Sequence, residues 1–149
     1  MLIQLTPAQI TANWDFLKEH VLVNTPLESI GGENRLNNVL NGLLVGDLHC
    51  WAEATADEQG FHIVGIIVTQ FLVNYCADVK NLLIYALVGI DNVFNIEKWE
   101  RGLLTLTQFA RKHECSNIIA YTDNVRIIRL AERFKANTSQ RLIVFQLHQ

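Results

Sequence analysis

The chain has 149 residues, 50% apolar and 18% charged, with a formal net charge of −3. That length predicts a single domain, residues 1–149, able to bury roughly two-thirds of its unfolded surface. A net acidic chain without interleaved aromatic and basic residues makes a poor nucleic-acid module, and the longest apolar run, IVGIIVTQFLV over 63–73, is too short to cross a bilayer and contains Gln70.

The charge is unevenly placed. Residues 1–97 hold three Lys/Arg against eleven carboxylates, a net of −8, while 98–149 hold nine against four, a net of +5. This division predicts a dipolar molecule that meets a protein partner or associates with itself head to tail. The opening MLIQLTPAQI has no basic start and breaks at Pro7, so no signal peptide is read and a cytoplasmic location is expected. Cys50, Cys76 and Cys115 form no CxxC pair. All three sit in apolar surroundings and are expected to be buried, reduced thiols.

In chain order, TPAQITANWDFLKEH offers Thr6 as an N-cap and Pro7 at the first helical position, and apolar spacing extends the helix over 7–20. NTPLESIGG over 24–32 reads as a loop, and ENRLNNVLNGLL over 33–44 as a second helix, weakened by Asn and Gly42. Residues 47–55 and 61–74 form a hairpin around the turn ADEQG, with Gly65 predicting a bulge or close backbone approach. KNLLIYALVGI over 80–90 is a third strand, apolar enough to be covered on both faces. In the helix 96–114, Ile96, Trp99, Leu103, Leu106 and Ala110 share one face. A strand over 116–122, a helix over 124–136 and a closing strand over 140–148 complete the order ααβββαβαβ. This is an α/β chain with a mixed sheet and helices on both faces.

That order resembles the GNAT acetyltransferase superfamily over about residues 34–148. The resemblance is carried by WAEATADEQGFHIVG, similar to the family's second and third strands with their VG step, and by FARKHECSNIIAYTDNVRIIRLAERFKA, similar to its third helix, fifth strand and fourth helix. Asn124 falls where the family usually has an Asn after the fifth strand. The resemblance implies an acyl-CoA-dependent N-acyltransferase with acetyl-CoA as donor. The pantetheine arm would lie like an extra strand in the gap between the fourth and fifth family strands, against Leu87, Val88 and Gly89 and near Asn124.

The resemblance also implies a loop, R/Q-x-x-G-x-G/A, that presents helix N-terminal amides to the pyrophosphate. Its two glycine positions fall here near Glu97 and Trp99. A carboxylate there repels the pyrophosphate, and an indole would fill its space. The family's usual Tyr acid is replaced by Ala131 and the Gly of its GF step by Lys135. Tyr121 reads as core or sheet-facing. Glu53 is a possible substitute base but reads as a solvated strand residue, so no catalytic residue is assigned. LAERFKANTSQRLIVFQL, TQF and LLIYAL further resemble a divergent branch common in bacteriophage genomes, some of whose members are virion components. The sequence reading is therefore a GNAT-like interaction or assembly protein with a degenerate cofactor site and no cofactor, virion-associated and non-catalytic, with the acyltransferase as the alternative. An open gap between those two strands favours the enzyme; a gap plugged by Trp99 or Phe94 does not.

Other constellations carry less. His49, Cys50 and His62 lack a fourth ligand for zinc, and neighbours on a strand face opposite ways, so no metal is assigned. Cys115 with His113 and Asp123 reads as packing rather than a nucleophilic site. Arg126, Arg129 and Arg133, spaced i, i+3, i+7, line one helix face and are the candidate partner-binding residues.

Overall fold

The computed structural model describes residues 1–23, 34–90, 95–145 and 147. Among these residues five strands and five helices follow in the order β1 (Leu2–Gln4), α1 (Pro7–Ala12), α2 (Trp14–Val23), α3 (Arg35–Val45), β2 (Leu48–Asp57), β3 (Gly60–Asn74), β4 (Val79–Gly89), α4 (Ile96–Lys112), β5 (Asn117–Ala120) and α5 (Val125–Arg133). One sheet holds the strands in sequence order. The pairs from β1 to β4 are antiparallel and β4–β5 is parallel. The α/β class and the mixed sheet are as expected.

Four local features differ from the sequence reading. Strand β1 was not expected, because three residues are too few to show a period. The first helix is two: Thr6 and Gln9 close a reciprocal capping box, but at Asn13 both the backbone N–H and the carboxamide turn back onto the Gln9 carbonyl, and α2 starts afresh at Trp14. The hairpin bulge lies beside Gly65 rather than on it, since Glu53 pairs with Gly65 and Ala54 with Ile63, leaving Val64 as the extra residue. The closing strand is corrected too, for residues 140–145 join no ladder. The predicted loop 24–32 lies outside the described residues.

Helices cover both faces. On one, Ile10, Leu17, Val21, Val39 and Leu43 of α1–α3 pack with Cys50, Ala52, Ile66, Val68, Ala86 and Val88. On the other, Leu106 and Ala110 of α4 pack with Leu2, Trp51, Ile67, Leu82 and Ile84. The alternation explains the continuous apolar runs: Ile66 and Val68 face one core and Ile67 the other, so the central strands need apolar residues on both sides. Complete burial of Leu106 contributes roughly 1.5–3 kcal/mol of transfer free energy. No helix among the described residues is long and apolar enough to cross a membrane.

Candidate functional site

Strand lengths create the main irregularity of the sheet. Strand β5 has four residues and pairs with β4 only from Asn81–Asn117 to Ile84–Ala120. Strand β4 runs five residues further; among the described residues 86–89 pair with β3 alone, and Tyr85 is the extra residue of a bulge. Beyond Ile84 one edge of β4 is therefore open, and alternate N–H and C=O groups along it are free to pair with an extended ligand. Leu87, Val88 and Gly89 lie on this stretch. Val88 turns its side chain into the α1–α3 core, while Gly89 is exposed.

Helix α4 begins at the far end of this region. Asn95 caps it, its Oδ1 accepting the Lys98 N–H at 2.9 Å. Glu97 is exposed in the first turn. Trp99, one of the two candidate plugs, is half-buried and keeps the expected helical spacing with Gly102, Leu106 and Ala110. With Lys98 and Gly102 it roofs a shallow, nearly filled depression whose floor is Leu2, Gly65, Ile67 and Glu53. Phe94, the other candidate plug, lies outside the described residues.

Glu53 is likewise corrected. It is buried, 5% exposed, and its Oε1 accepts a hydrogen bond from the Met1 ammonium at 2.7 Å. Cross-strand pairing puts Glu53, Gly65 and Gly89 in one row, spanning about 10 Å at roughly 4.8 Å per strand. Tyr121 is neither core nor sheet-facing; it is exposed just beyond the end of β5. Asn124 N-caps α5, its Oδ1 accepting from Arg126 N at 3.0 Å. That leaves the amide nitrogen as the donor Asn124 can offer a ligand. Arg126, Arg129 and Arg133 are all exposed along α5.

The groups weighed as a zinc or nucleophile site do not converge. His49 and Cys50 face opposite sides, and His62 sits opposite Thr55 with Nε2 3.0 Å from Asp57. Among the described residues no group of three or more His, Cys, Asp or Glu is placed to hold a metal. Only Cys50 is fully buried, its thiol pushed up to about 12 by burial. Cys76, contrary to expectation, is exposed in the β3–β4 turn. Cys115 is half-buried, and burial raises its thiol as well, with nearby Lys80 opposing. Neither of these two buried-side thiols is activated as a nucleophile.

The sequence missed a polar–aromatic cluster at the C-terminal end of α4. Thr69, fully buried, accepts the Trp51 indole N–H at 3.0 Å and lies 3.2 Å from His49 Nδ1. Phe71 and Phe109 stack there at 5.7 Å, with His49 edge-on to both and Lys80 over Phe71 at 4.2 Å. Burial first, then the charges of His113 and Lys80, hold the His49 imidazole below its ordinary range, with Thr69 opposing. The available signal was Thr69 itself, a lone hydroxyl inside an apolar run.

No protein-family model matches the sequence, and no curated protein matches it. Solved structures do match in fold. A probable acetyltransferase superposes with a TM-score of 0.71 at 12% identity, covering 100% of this chain and 97% of that one. The ribosomal-protein-alanine N-acetyltransferase from Brucella melitensis biovar Abortus 2308 gives 0.67 at 10%, covering 99% of each chain. An aminoglycoside N-acetyltransferase in complex with CoA gives 0.68 at 10%, covering 100% of each. The chain has the GNAT acetyltransferase fold.

Proposed function

We propose that this protein is an acyl-CoA-dependent N-acyltransferase that holds its donor chiefly by the pantetheine arm. The observation that carries this reading is the open edge of β4 beyond Ile84, where five residues outrun β5. The amides of a pantetheine arm laid there would pair with the backbone of Leu87, Val88 and Gly89, and Asn124 would offer its amide nitrogen from the start of α5. In the reaction an acceptor amine attacks the thioester carbonyl, the C–S bond breaks, the CoA thiolate leaves, and the amine gives up a proton. At the α4 start no glycine stands at 97 or 99 to let a diphosphate come close. Glu97 stands there, and its carboxylate weakens the hold on the diphosphate without touching the pantetheine gap.

Calorimetry with acetyl-CoA and with acetyl-pantetheine tests this directly. The reading expects micromolar binding of acetyl-CoA and only a small loss on removing the nucleotide. Absence of acetyl-CoA binding at millimolar concentration would refute it.

A second reading is a non-catalytic assembly component, such as a bacteriophage virion protein, that uses Arg126, Arg129 and Arg133 on a protein partner. The exposed Glu97 at the α4 start and the exposed apolar residues 142–145 favour it. Native mass spectrometry showing a stable assembly together with no donor binding would decide for this reading.

A further inference from the structure

The polar–aromatic cluster under the end of α4 is built around a group that can change its charge. His49, 8% exposed, enters from β2 opposite Thr69 of β3. The Trp51 indole can only donate, so Thr69 Oγ1 accepts from it at 3.0 Å. The hydroxyl hydrogen is then left for His49 Nδ1, 3.2 Å away. That arrangement suits a neutral ring whose Nδ1 accepts. Phe71 and Phe109 stand edge-on to the same ring at 4.8 and 5.1 Å and give an added charge nothing to bond with.

The charges that bear on His49 are of one sign. They come from His113 on α4 and Lys80 on β4, and Lys80 Nζ sits 4.2 Å from the centre of the Phe71 ring. The Cys115 thiol beyond α4, raised by burial, brings no compensating anion. Trp51 and Phe71, the rings from β2 and β3, are uncharged.

The cover over His49 is the end of α4. Phe109 lies against His49, Trp51 and Phe71, and against His113 one turn on at 4.4 Å. The chain then turns back through Glu114 at φ +60, and only residues 113–116 separate α4 from β5. Ser116 N–H donates to the Lys80 carbonyl at 2.8 Å. Strand β5 is thus held by the end of α4 and by four residues of β4, while β3 is laddered along both sides.

We propose that proton uptake at His49 releases the last turns of α4, and β5 with them, from an otherwise intact sheet. A charged His49 stands between two like charges in an apolar surround, and an unpaired buried charge is costly. Lifting Phe109 and His113 gives it water and separates the charges, a local opening rather than a global one. The sign follows from His49 being held below its ordinary 6.5, chiefly by burial. The open form takes the proton more readily, so the closed form is favoured above that value and loses ground below it. Strand β5 flanks the open stretch of β4, so the gap there changes with the opening, but the inference stands whether or not a donor binds.

Hydrogen exchange of the full chain at about pH 8 and about pH 5, the range in which histidines change charge, tests this once intrinsic rates are corrected for. Protection over 107–120 should fall in acid, by up to about tenfold per pH unit for one proton, while β3 keeps its own. His49→Gln, which keeps a polar side chain but takes no proton, should stay closed at both. Lys80→Met leaves His49 in place and removes one repelling charge, so it should respond less than the parent even where the His49 variant does not fold. Unchanged protection over 107–120 in acid, an equal loss across β3, or a folded His49→Gln or Lys80→Met chain that opens as fully as the parent would each overturn the proposal.

Discussion

Replacing Thr69 by Val tests whether the polar cluster under α4 is held together by one hydroxyl. The swap conserves shape and removes only Oγ1, which stands 3.0 Å from the Trp51 indole nitrogen and 3.2 Å from His49 Nδ1. Trp51 is 4% exposed, so its N–H finds no water when the acceptor goes. An orphaned buried donor costs about 1–3 kcal/mol. His49 loses a partner as well, while the added methyl returns about 0.8 kcal/mol. The net expectation is a loss of about 2 kcal/mol. Urea unfolding followed by circular dichroism should show a midpoint lower by about 1 M, given slopes of roughly 1–3 kcal/mol per molar for small proteins. Thr69→Ser keeps the acceptor and should cost less than Val. In a Trp51→Phe background, with the indole donor absent, Thr69→Val should cost clearly less than in the parent, the signature of a coupled pair. A Val variant within about 0.5 kcal/mol of the parent, or a Ser variant less stable than Val, would refute the reasoning.

Three further outcomes are expected. His49 is held below its ordinary 6.5, chiefly by burial, so as pH falls the unfolded chain takes up its proton first. The associated stability is intact above that value and is lost below it, at no more than about 1.4 kcal/mol per pH unit for one proton. Unfolding midpoints above and below 6.5 check this, and His49→Gln should flatten the dependence. Glu97→Gln should tighten acetyl-CoA by a few-fold in calorimetry, because removing an anion beside a helix-terminal anion site is worth about 0.3–1 kcal/mol. Gly46 ends α3 at φ +89 with open space where a Cβ would stand. Gly46→Ala should therefore cost only the left-handed backbone penalty, about 1–2 kcal/mol, read as a lower melting temperature.

Much of this architecture is legible in the sequence because periodicity reports burial. The doubly apolar β3 and β4, the capping residue Thr6 and the amphipathic α4 follow from spacing and residue type alone. Trp99 shows how two signals in one stretch can conflict. Loop alignment sets it at a phosphate position, while helical spacing sets it beside Leu106 and Ala110; the structure keeps the spacing, with the indole half-buried, and bears on that second signal alone. Glu53 and Tyr121 were misplaced for the opposite reason. Whether a polar strand residue is covered depends on which helix crosses above it, and no local pattern encodes that. The segment 140–145 has every local mark of a strand; its pairing depends on a partner edge, which local propensity does not specify.

On the acyltransferase reading, the gap that would take a pantetheine arm and the site that would grip its phosphates are physically separable. The gap arises because β4 has eleven residues and β5 four. Strand β4 is fixed from both sides, with Ala86 and Val88 in one core and Leu82 and Ile84 in the other. Its course past the end of β5 therefore does not depend on the residues at the start of α4. The grip is a local matter of backbone amides and of whatever side chain stands beside them, here Glu97. On that reading, a side chain such as Glu97 at the helix start would lower donor affinity without closing the gap. The two functional readings divide on whether backbone pairing at residues 87–89 holds a donor unaided. Acetyl-pantetheine, which can use the gap but not the grip, isolates that question. Binding comparable to acetyl-CoA means that the edge of β4 suffices, and failure of both ligands means that the scaffold serves a partner instead.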